Sequence, residues 1–271
     1  YHYEHILEAF KTAASKMPRV DGIGVSSAGD YIDNEPRVAS LFIKVPRENW
    51  DRVKTIYTRA AAAIGDVPLV VANDGDVSAL AGAMGLGKGK LMGLAMGTSE
   101  AVGYVDKDQN VLGWINELAF APVDLNKGAM QDEWSTDFGV GCKYFSQDAV
   151  IKLAPFAGIE IPEDLPLAQK LKFVQKMMEE DDARAVAIFE TIGAYLAYTV
   201  VLYAQFYDLD YMMLLGRVMS GKGGDTILRV CNEILADEYP ELAKKCNVTL
   251  PDEKMRRVGQ SVAAASLPAL K

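Results

Sequence analysis

One stretch of the chain, residues 69–82, constrains the fold more than any other segment. It opens with the apolar run Leu-Val-Val-Ala, continues with Asn73 and Asp74, and ends in an Ala- and Leu-rich segment that contains Gly82. The apolar run is typical of a strand and the small-residue segment of a helix, so Asp74 is expected at the carboxyl end of a strand, where open α/β sheets bind ligands. Asp74 is therefore a candidate general base. Its use as the N-cap of the following helix is the structural alternative.

A second strand that runs into a turn is predicted at residues 94–99. Leu-Ala-Met is followed by Gly97, Thr98 and Ser99, a tight turn rich in backbone and hydroxyl donors. Turns of this kind bind phosphate oxygens. A carboxylate base together with a phosphate-binding turn predicts phosphoryl transfer to a hydroxyl group.

Length and charge exclude several classes of protein. Half of the 271 residues are apolar, which is enough for a sizeable core and two lobes. The formal net charge of −9 argues against a nucleic-acid-binding surface. The longest apolar stretch, 191–207, contains Gly193 and Gln205 and is short for a bilayer, so we expect a buried helix and no membrane partner.

Histidine and cysteine usage narrows the chemistry. The only histidines are His2 and His5, so the body of the chain offers no His-based triad or general base. The three cysteines are Cys142, Cys231 and Cys246. They form no CxxC pair, which favours a reducing, cytoplasmic location over a disulfide framework. Carboxylate chemistry remains, with Asp76 as a second candidate base that would point roughly 200° away from Asp74 on a helix.

Apolar periodicity predicts alternating helices and strands. Helices are expected at 4–17 and 50–64 and through most of the chain after 147. Strands are expected at 20–25, 68–72, 91–96, 101–105 and 211–215. The segment from Gly216 to Lys222 has the spacing of a Walker loop, but Gly223 stands where that motif needs a hydroxyl. A tight turn with positive φ is therefore an equally good interpretation.

Five segments, taken in order, resemble the successive motifs of the ROK family of sugar kinases and related repressors. They are DGIGV at 21–25, AND at 72–74, MGTS at 96–99, LLGRV at 214–218 and VGQSVAAA at 258–265. The resemblance implies an α/β, two-lobed ATPase fold of the actin/hexokinase (ribonuclease H-like) type, with mixed sheets flanked by helices. The implied lobes are residues 1–78, to which a helix at about 256–271 returns, and residues 79–255, which carry nucleotide-binding and dimer elements.

The same resemblance assigns roles to individual residues. Asp74 is similar to the base that deprotonates the sugar hydroxyl. Sugar-binding positions are implied at Ser27, Asn73, Asp74 and Glu117. Nucleotide-binding positions are implied at Gly97, Thr98, Ser99, Gly216 and Arg217. The implied function is ATP-dependent, Mg²⁺-assisted phosphorylation of a sugar by a homodimer; a catalytically silent sugar-binding or regulatory protein is the alternative. The sequence has no basic recognition helix, so no nucleic-acid partner is expected.

Three departures from the family pattern carry further expectations. Phe120 stands where the family has a zinc-binding histidine, and Cys142 has no neighbouring thiol, so no zinc is expected. Leu215 replaces the first glycine of the family's Gly-Gly pair. The family also opens with an Asp-x-Gly-Gly-Thr hairpin that binds phosphate. Because the 271 residues do not include one, we expect a fragment with little kinase activity on its own.

Two other features have a structural interpretation at this point. Trp114 and Trp134 are expected in the core rather than as platforms for a sugar ring. The acidic run at 179–182 is expected to form a solvated helix end or loop.

Overall fold

The computed structural model describes residues 1–252 and 258–269. The α-helices are α1 (His2–Ala14), α2 (Trp50–Lys54), α3 (Ile56–Ala62), α4 (Asp74–Leu86), α5 (Gln147–Leu153), α6 (Leu167–Glu179), α7 (Ala183–Tyr203), α8 (Gly221–Glu238), α9 (Pro240–Lys245) and α10 (Gln260–Ser266). The strands are β1 (Ile23–Ser27), β2 (Asp30–Ile32), β3 (Glu35–Val38), β4 (Leu69–Asn73), β5 (Leu91–Met96), β6 (Glu100–Val105), β7 (Tyr211–Leu215) and β8 (Asn247–Thr249).

The first part of the chain is built on a parallel pair of strands. β1 pairs with β4 from Ile23 opposite Leu69 to Ser27 opposite Asn73. The prediction of a strand at 20–25 is therefore displaced, because pairing with β4 holds the chain extended as far as Ser27. β2 and β3 form an antiparallel hairpin beside this pair. A small core around Phe42, Tyr57 and Val71 joins the strands to α2 and α3. The helix expected at 50–64 is divided between α2 and α3, with Thr55 between them.

The second part is built on a four-stranded sheet, the large sheet, in the order β6-β5-β7-β8. β6 is antiparallel to β5, whereas β7 is parallel to β5 and β8 is parallel to β7. Side chains alternate between its two faces, as the period of a strand requires. Met92, Leu94 and Met212 face the main core, and Leu91 and Met213 face α4. We call the side covered by α4 the cleft face and the side covered by α7 the inner face.

The long apolar helix α7 belongs to the inner face. Among the described residues it is the one helix long and apolar enough to span a bilayer, and half of its most apolar window is buried inside the protein. Ile188, Phe189 and Leu196 are fully or almost fully buried in the main core. The helix packs along much of its length against α8. These contacts agree with the prediction of a buried helix for 191–207.

Helix α10 connects the two parts of the chain. It packs against β1 and against α4, and a Cβ on Gly24 would collide with the Ala264 backbone. The C-terminal helix expected at about 256–271 is described from 260 to 266, while residues 256, 257, 270 and 271 lie outside the described residues. The boundary expected between residues 78 and 79 falls inside α4, whose whole length rests on β5 and β6.

Candidate functional site

Asp74 is the first residue of α4 and follows directly on β4. The helix is capped by the preceding residue, since the Asn73 Oδ1 accepts a hydrogen bond of 2.7 Å from the Gly75 N–H. The alternative interpretation of Asp74 as the N-cap is therefore wrong. Burial raises the pKa of the Asp74 carboxyl, and the N–H groups of Asp74 and Gly75 offset part of that rise. Such a carboxylate is a stronger base than a solvated one.

Close backbone packing holds the start of α4 against β6. A Cβ on Gly75 would collide with the Val102 carbonyl, and a Cβ on Gly103 would collide with the Gly75 backbone. Only glycine at both positions lets the first turn of the helix approach the strand so closely. Asp74 is thereby positioned relative to the large sheet and not only relative to β4.

The sugar-binding residues expected at the ends of β1 and β4 lie side by side. Ser27 and Asn73 are paired in the β1–β4 register. The Asn73 Nδ2 donates to the Gly29 carbonyl at 2.9 Å. The Ser27 hydroxyl lies 3.0 Å from the Tyr57 hydroxyl and accepts from Tyr31 at 2.7 Å. Both side chains already make hydrogen bonds within the protein, so in this structure they hold the neighbouring residues Gly29, Tyr31 and Tyr57 in place.

The residues expected to bind nucleotide converge at the carboxyl ends of β5 and β7. The 97–99 turn joins β5 to β6, with the Gly97 N–H bonded to the Ser99 carbonyl at 3.0 Å. Thr98, Ser99 and Arg217 are exposed. Gly216 has φ +95°, and a Cβ there would collide with the Met96 backbone. The structure thus brings all five expected nucleotide residues to one edge, next to the start of α4.

The segment from Gly216 to Lys222 is a pair of tight turns rather than a Walker loop. Gly221 has φ +67°, in agreement with the turn interpretation. The Lys222 ammonium donates to the Glu179 carbonyl at 2.9 Å and to Asp181 at 2.7 Å. The Lys222 backbone N–H donates to the Glu179 carboxylate at 3.0 Å. The exposed acidic run therefore also caps α8, which its composition alone did not indicate.

A second group of carboxylates lies near Asp74, and we call the space between Asp74 and this group the cleft. Glu117 is exposed, and Asp30 is half-buried at the start of β2. Desolvation raises the pKa of Glu117, and Asp30, Asp74 and Asp76 raise it further. The Glu117 carboxyl is within hydrogen-bonding reach of Asp30. The sequence analysis missed Asp30 because it begins a three-residue strand that no motif marks.

Asp76 points away from Asp74 and into the protein, as its helical position predicts. It is 7% exposed, and its carboxylate accepts from the Asn116 Nδ2 at 2.8 Å and from the Tyr104 N–H. Burial raises its pKa to about 6, although these two donors lower it and Asp74 and Asp30 raise it again. Asp76 therefore lacks the open approach that a base acting on a sugar hydroxyl needs.

The region around Phe120 and Cys142, where no zinc is expected, contains the buried ammonium group of Lys143. No group of three His, Cys, Asp or Glu residues arranged to hold a metal ion occurs among the described residues. The Lys143 Nζ lies 3.1 Å from Asp132, 3.1 Å from Asp148 and within hydrogen-bonding distance of Glu133. The Cys142 Sγ donates to Asp132 at 3.6 Å. These contacts link the loop that precedes Val140 to the start of α5.

Trp114 and Trp134 are not core residues. Trp114 is 52% exposed and Trp134 is 66% exposed, so the expectation that both lie in the core is wrong. Trp114 stacks on Tyr104 with a centroid distance of 5.8 Å, and Trp134 rests against Phe120 at 5.4 Å. Both occupy loops after β6, where neighbouring aromatic rings cover part of each side chain. Composition does not reveal that kind of partial exposure.

Three solved structures of similar fold belong to the ROK family. The ROK family glucokinase of Streptomyces griseus, solved with glucose and AMPPNP, has a TM-score of 0.73 at 18% identity and covers 98% of this chain and 88% of its own. The ROK hexokinase of Thermus thermophilus has a TM-score of 0.70 at 17% identity and covers 97% and 85%. A ROK family transcriptional regulator, a homologue of the Escherichia coli MLC protein, has a TM-score of 0.71 at 14% identity and covers 97% and 67%.

Sequence comparison alone finds none of these relationships. No protein-family model matches the chain, and no curated protein sequence matches it. At 14 to 18% identity the structural likeness establishes the fold. The chain therefore has the fold of the ROK sugar kinases and regulators, an α/β fold of the actin-like ATPase type.

Proposed function

We propose that the protein transfers the γ-phosphoryl group of ATP to a hydroxyl of a sugar, with Asp74 as the general base. One observation carries the proposal. The Asp74 carboxyl, whose pKa is raised by burial, begins α4 at the same edge of the large sheet as the 97–99 turn and Gly216. A base and a phosphate-binding turn at one edge provide the two halves of a phosphoryl-transfer site.

The proposed step is an in-line displacement. The sugar hydroxyl donates a hydrogen bond to Asp74 and passes its proton to that carboxylate as its oxygen bonds to the γ-phosphorus; the bond to the β–γ bridging oxygen breaks, and ADP leaves. The donors of Thr98 and Ser99 bind the phosphoryl oxygens, on which charge is held during the transfer. A positioned base contributes about 10²–10⁴-fold to such a rate.

The acceptor side of the cleft is formed by acids that can bind hydroxyl groups. Asp30 and Glu117 lie within reach of one another and near Asp74. Carboxylate oxygens accept hydrogen bonds from sugar hydroxyls. Asn73 and Ser27 act on this side by orienting the loop at Gly29 and the two tyrosines they contact. In this proposal a sugar is bound by acceptors around its ring.

The remaining elements of the proposal follow from the same mechanism. Mg²⁺, when bound, neutralises phosphate charge; with no three-acid site among the described residues, phosphate oxygens and water would supply most of its ligands. Closure of the lobes 1–78 and 79–255 around the sugar would exclude water as an acceptor. A cytoplasmic homodimer without a nucleic-acid partner or bound zinc completes the proposal.

A catalytically silent, sugar-binding protein is the second candidate, because a ROK family transcriptional regulator is among the structures of similar fold. Glu100 follows the 97–99 turn directly and is buried, with no hydrogen-bond partner for either carboxyl oxygen. An ionised carboxylate behind a phosphate-binding turn opposes the binding of a polyanion. Burial raises the pKa of Glu100 well above its usual value, so its neutral form is the one compatible with ATP.

Two measurements on the protein, including any natural sequence upstream of residue 1, separate the candidates. Phosphoryl transfer from ATP is assayed with a panel of hexoses and amino sugars, and binding of each sugar is measured by calorimetry. The kinase proposal expects a phosphorylated product with at least one sugar, lost in Asp74→Asn and kept in the exposed control Asp66→Asn. Sugar binding without transfer would support the silent protein. Neither binding nor transfer across the panel would reject both candidates.

A further inference from the structure

We propose that Asp76 is a positioning residue: through Asn116 it holds the loop 111–117 so that Glu117 faces the acceptor side of the cleft. The inference rests on the proposed function of that cleft. It assigns a role to a buried acid that the phosphoryl-transfer step itself does not use.

The contact between the two side chains joins elements far apart in sequence. Asp76 lies in the first turn of α4, and Asn116 lies beyond β6, 40 residues later. The Asn116 Nδ2 donates to the Asp76 Oδ1 at 2.8 Å, and the Asn116 Oδ1 accepts from the Tyr207 hydroxyl at 3.0 Å. Both ends of the Asn116 amide are thereby fixed. The loop is tied at this residue to the helix that carries Asp74 and to the segment after α7.

Asn116 is also the point at which the loop is anchored. Of residues 112–117 it is the one that is not exposed. Leu112 and Ile115 are exposed, and Trp114 contacts the rings of Tyr104 and Tyr207. The short turn after Asn116 is closed by the Leu118 N–H, which donates to the Asn116 carbonyl at 2.8 Å. Releasing Asn116 would therefore free Glu117, the next residue, together with the exposed part of the loop.

The charges explain why a neutral amide suits this position. Asp74 and Asp30 both act on Asp76 electrostatically, and Asp76 acts on Glu117 and Tyr207. A lysine or arginine at 116 would neutralise the acids that the cleft presents to its ligand. The Asn116 amide satisfies the buried Asp76 carboxylate and adds no charge. The Tyr104 N–H occupies a further acceptor position of Asp76.

A swap of the two side chains tests the inference. Asn116→Asp sets two carboxylates against each other, and we expect it to raise KM for the accepted sugar about tenfold or more while kcat changes about threefold or less. The double variant Asp76→Asn/Asn116→Asp restores a donor and an acceptor with the positions exchanged. It should return KM to within about threefold of the wild type. Asn116→Ala, which removes the anchor without adding charge, should raise KM about as much as Asn116→Asp does.

A readout that does not depend on activity keeps this test separate from the proposed function. In a Trp50→Phe/Trp134→Phe background the remaining Trp114 reports the loop. Asn116→Asp and Asn116→Ala should increase acrylamide quenching of Trp114, and the swap should reverse the increase. Quenching that is unchanged in both single variants, or a KM increase that the swap fails to rescue in a folded protein, would overturn the inference. Absence of any kinase activity, with quenching that follows the swap, would reject only the proposed function.

Discussion

The two faces of the β5–β6 hairpin each enclose a carboxyl group, but in opposite circumstances. Asp76 on the cleft face and Glu100 on the inner face are 7% and 5% exposed. Asp76 accepts from Asn116 and from the Tyr104 N–H, whereas neither oxygen of Glu100 has a hydrogen-bond partner. Similar burial thus gives one acid with two hydrogen-bond donors and one with none, and the free energy of a buried carboxyl depends on such partners as well as on its depth.

The inner face also contains the contrasting case of a buried cation. Lys143 lies among Asp132, Glu133 and Asp148, and these acids keep its pKa above the usual value although burial opposes this. Burial would raise the pKa of Asp132, but the Ser135 N–H and Lys143 lower it to about 2. Helix α5, which follows Lys143, begins beside the 97–99 turn, since the Gln147 N–H donates to the Gly97 carbonyl at 2.9 Å. The ion pairs of Lys143 therefore stabilise the inner face, whereas the unpartnered Glu100 does not.

The largest effect is expected on the cleft face. In the complete protein Asp74→Asn keeps the shape and hydrogen bonds of the side chain but cannot accept a proton, so kcat for the accepted sugar should fall by about 10³-fold or more with little change in its KM. Steady-state kinetics beside the Asp66→Asn control provide the measurement. Turnover within about tenfold of the wild type would remove Asp74 as the base.

On the inner face the largest effect is expected at Lys143. Lys143→Met leaves Asp132 and Asp148 without their cation and should lower the free energy of unfolding by about 3–5 kcal/mol. Lys152 contacts the exposed Glu133 from the surface, so Lys152→Met serves as the matched control, with a loss below about 1 kcal/mol. Urea unfolding at neutral pH measures both. Equal losses in the two variants would mean that Lys143 is only a surface ion pair.

The two buried acids should respond to removal with opposite signs. At pH 8 Glu100→Met should raise the free energy of unfolding by about 1–3 kcal/mol, since it removes an unpartnered polar group. Asp76→Leu should lower that free energy by about 1–3 kcal/mol, since it leaves the Asn116 and Tyr104 donors without an acceptor. The exposed acid Glu163, changed to Met, is the control. Shifts of the same sign at positions 76 and 100 would break the comparison of the two faces.

The pH dependence of stability gives a finer test of Glu100. Its pKa is raised in the folded protein, so the folded state binds the proton more tightly than the unfolded state does. The resulting stabilisation is complete below the unfolded pKa, near 4.5, and is lost as pH rises through the folded value. Glu100→Met should reduce this decline between about pH 5 and 8. If stability declined with pH equally steeply in the wild type and the variant, a group other than Glu100 would cause the decline.

The smallest effect is expected from metal removal. Because Lys143 pairs with the acids of this region and Phe120 stands where the family resemblance implies a zinc-binding histidine, the purified protein should contain less than about 0.1 zinc per chain, and a chelator should shift Tm by less than about 1 °C. Elemental analysis and thermal unfolding measure the two quantities. About one zinc per chain would contradict the assignment of this region.

Local sequence predicted those parts of the candidate site that depend on neighbouring residues. The apolar run before Asn73 forms β4, and α4 begins at Asp74 as expected. The turn at Gly216 needs the positive φ that glycine allows. β7 matches the strand expected at 211–215. In each case a few consecutive residues determine the conformation, so the pattern is legible without the rest of the chain.

The other features depend on contacts between distant segments, and only the tertiary structure decided them. The sequence by itself determined a strand that delivers Asn73 and Asp74 to its carboxyl end, a 97–99 turn, and an excess of acidic residues without histidine in the body of the chain. Folding decided that Asn116 meets Asp76, that Lys143 meets Asp132, that Glu100 is enclosed without a partner and that Trp114 stays half exposed. The physical reason is that burial and pairing set the pKa and the free energy of a charged group, and both are created when remote segments pack together.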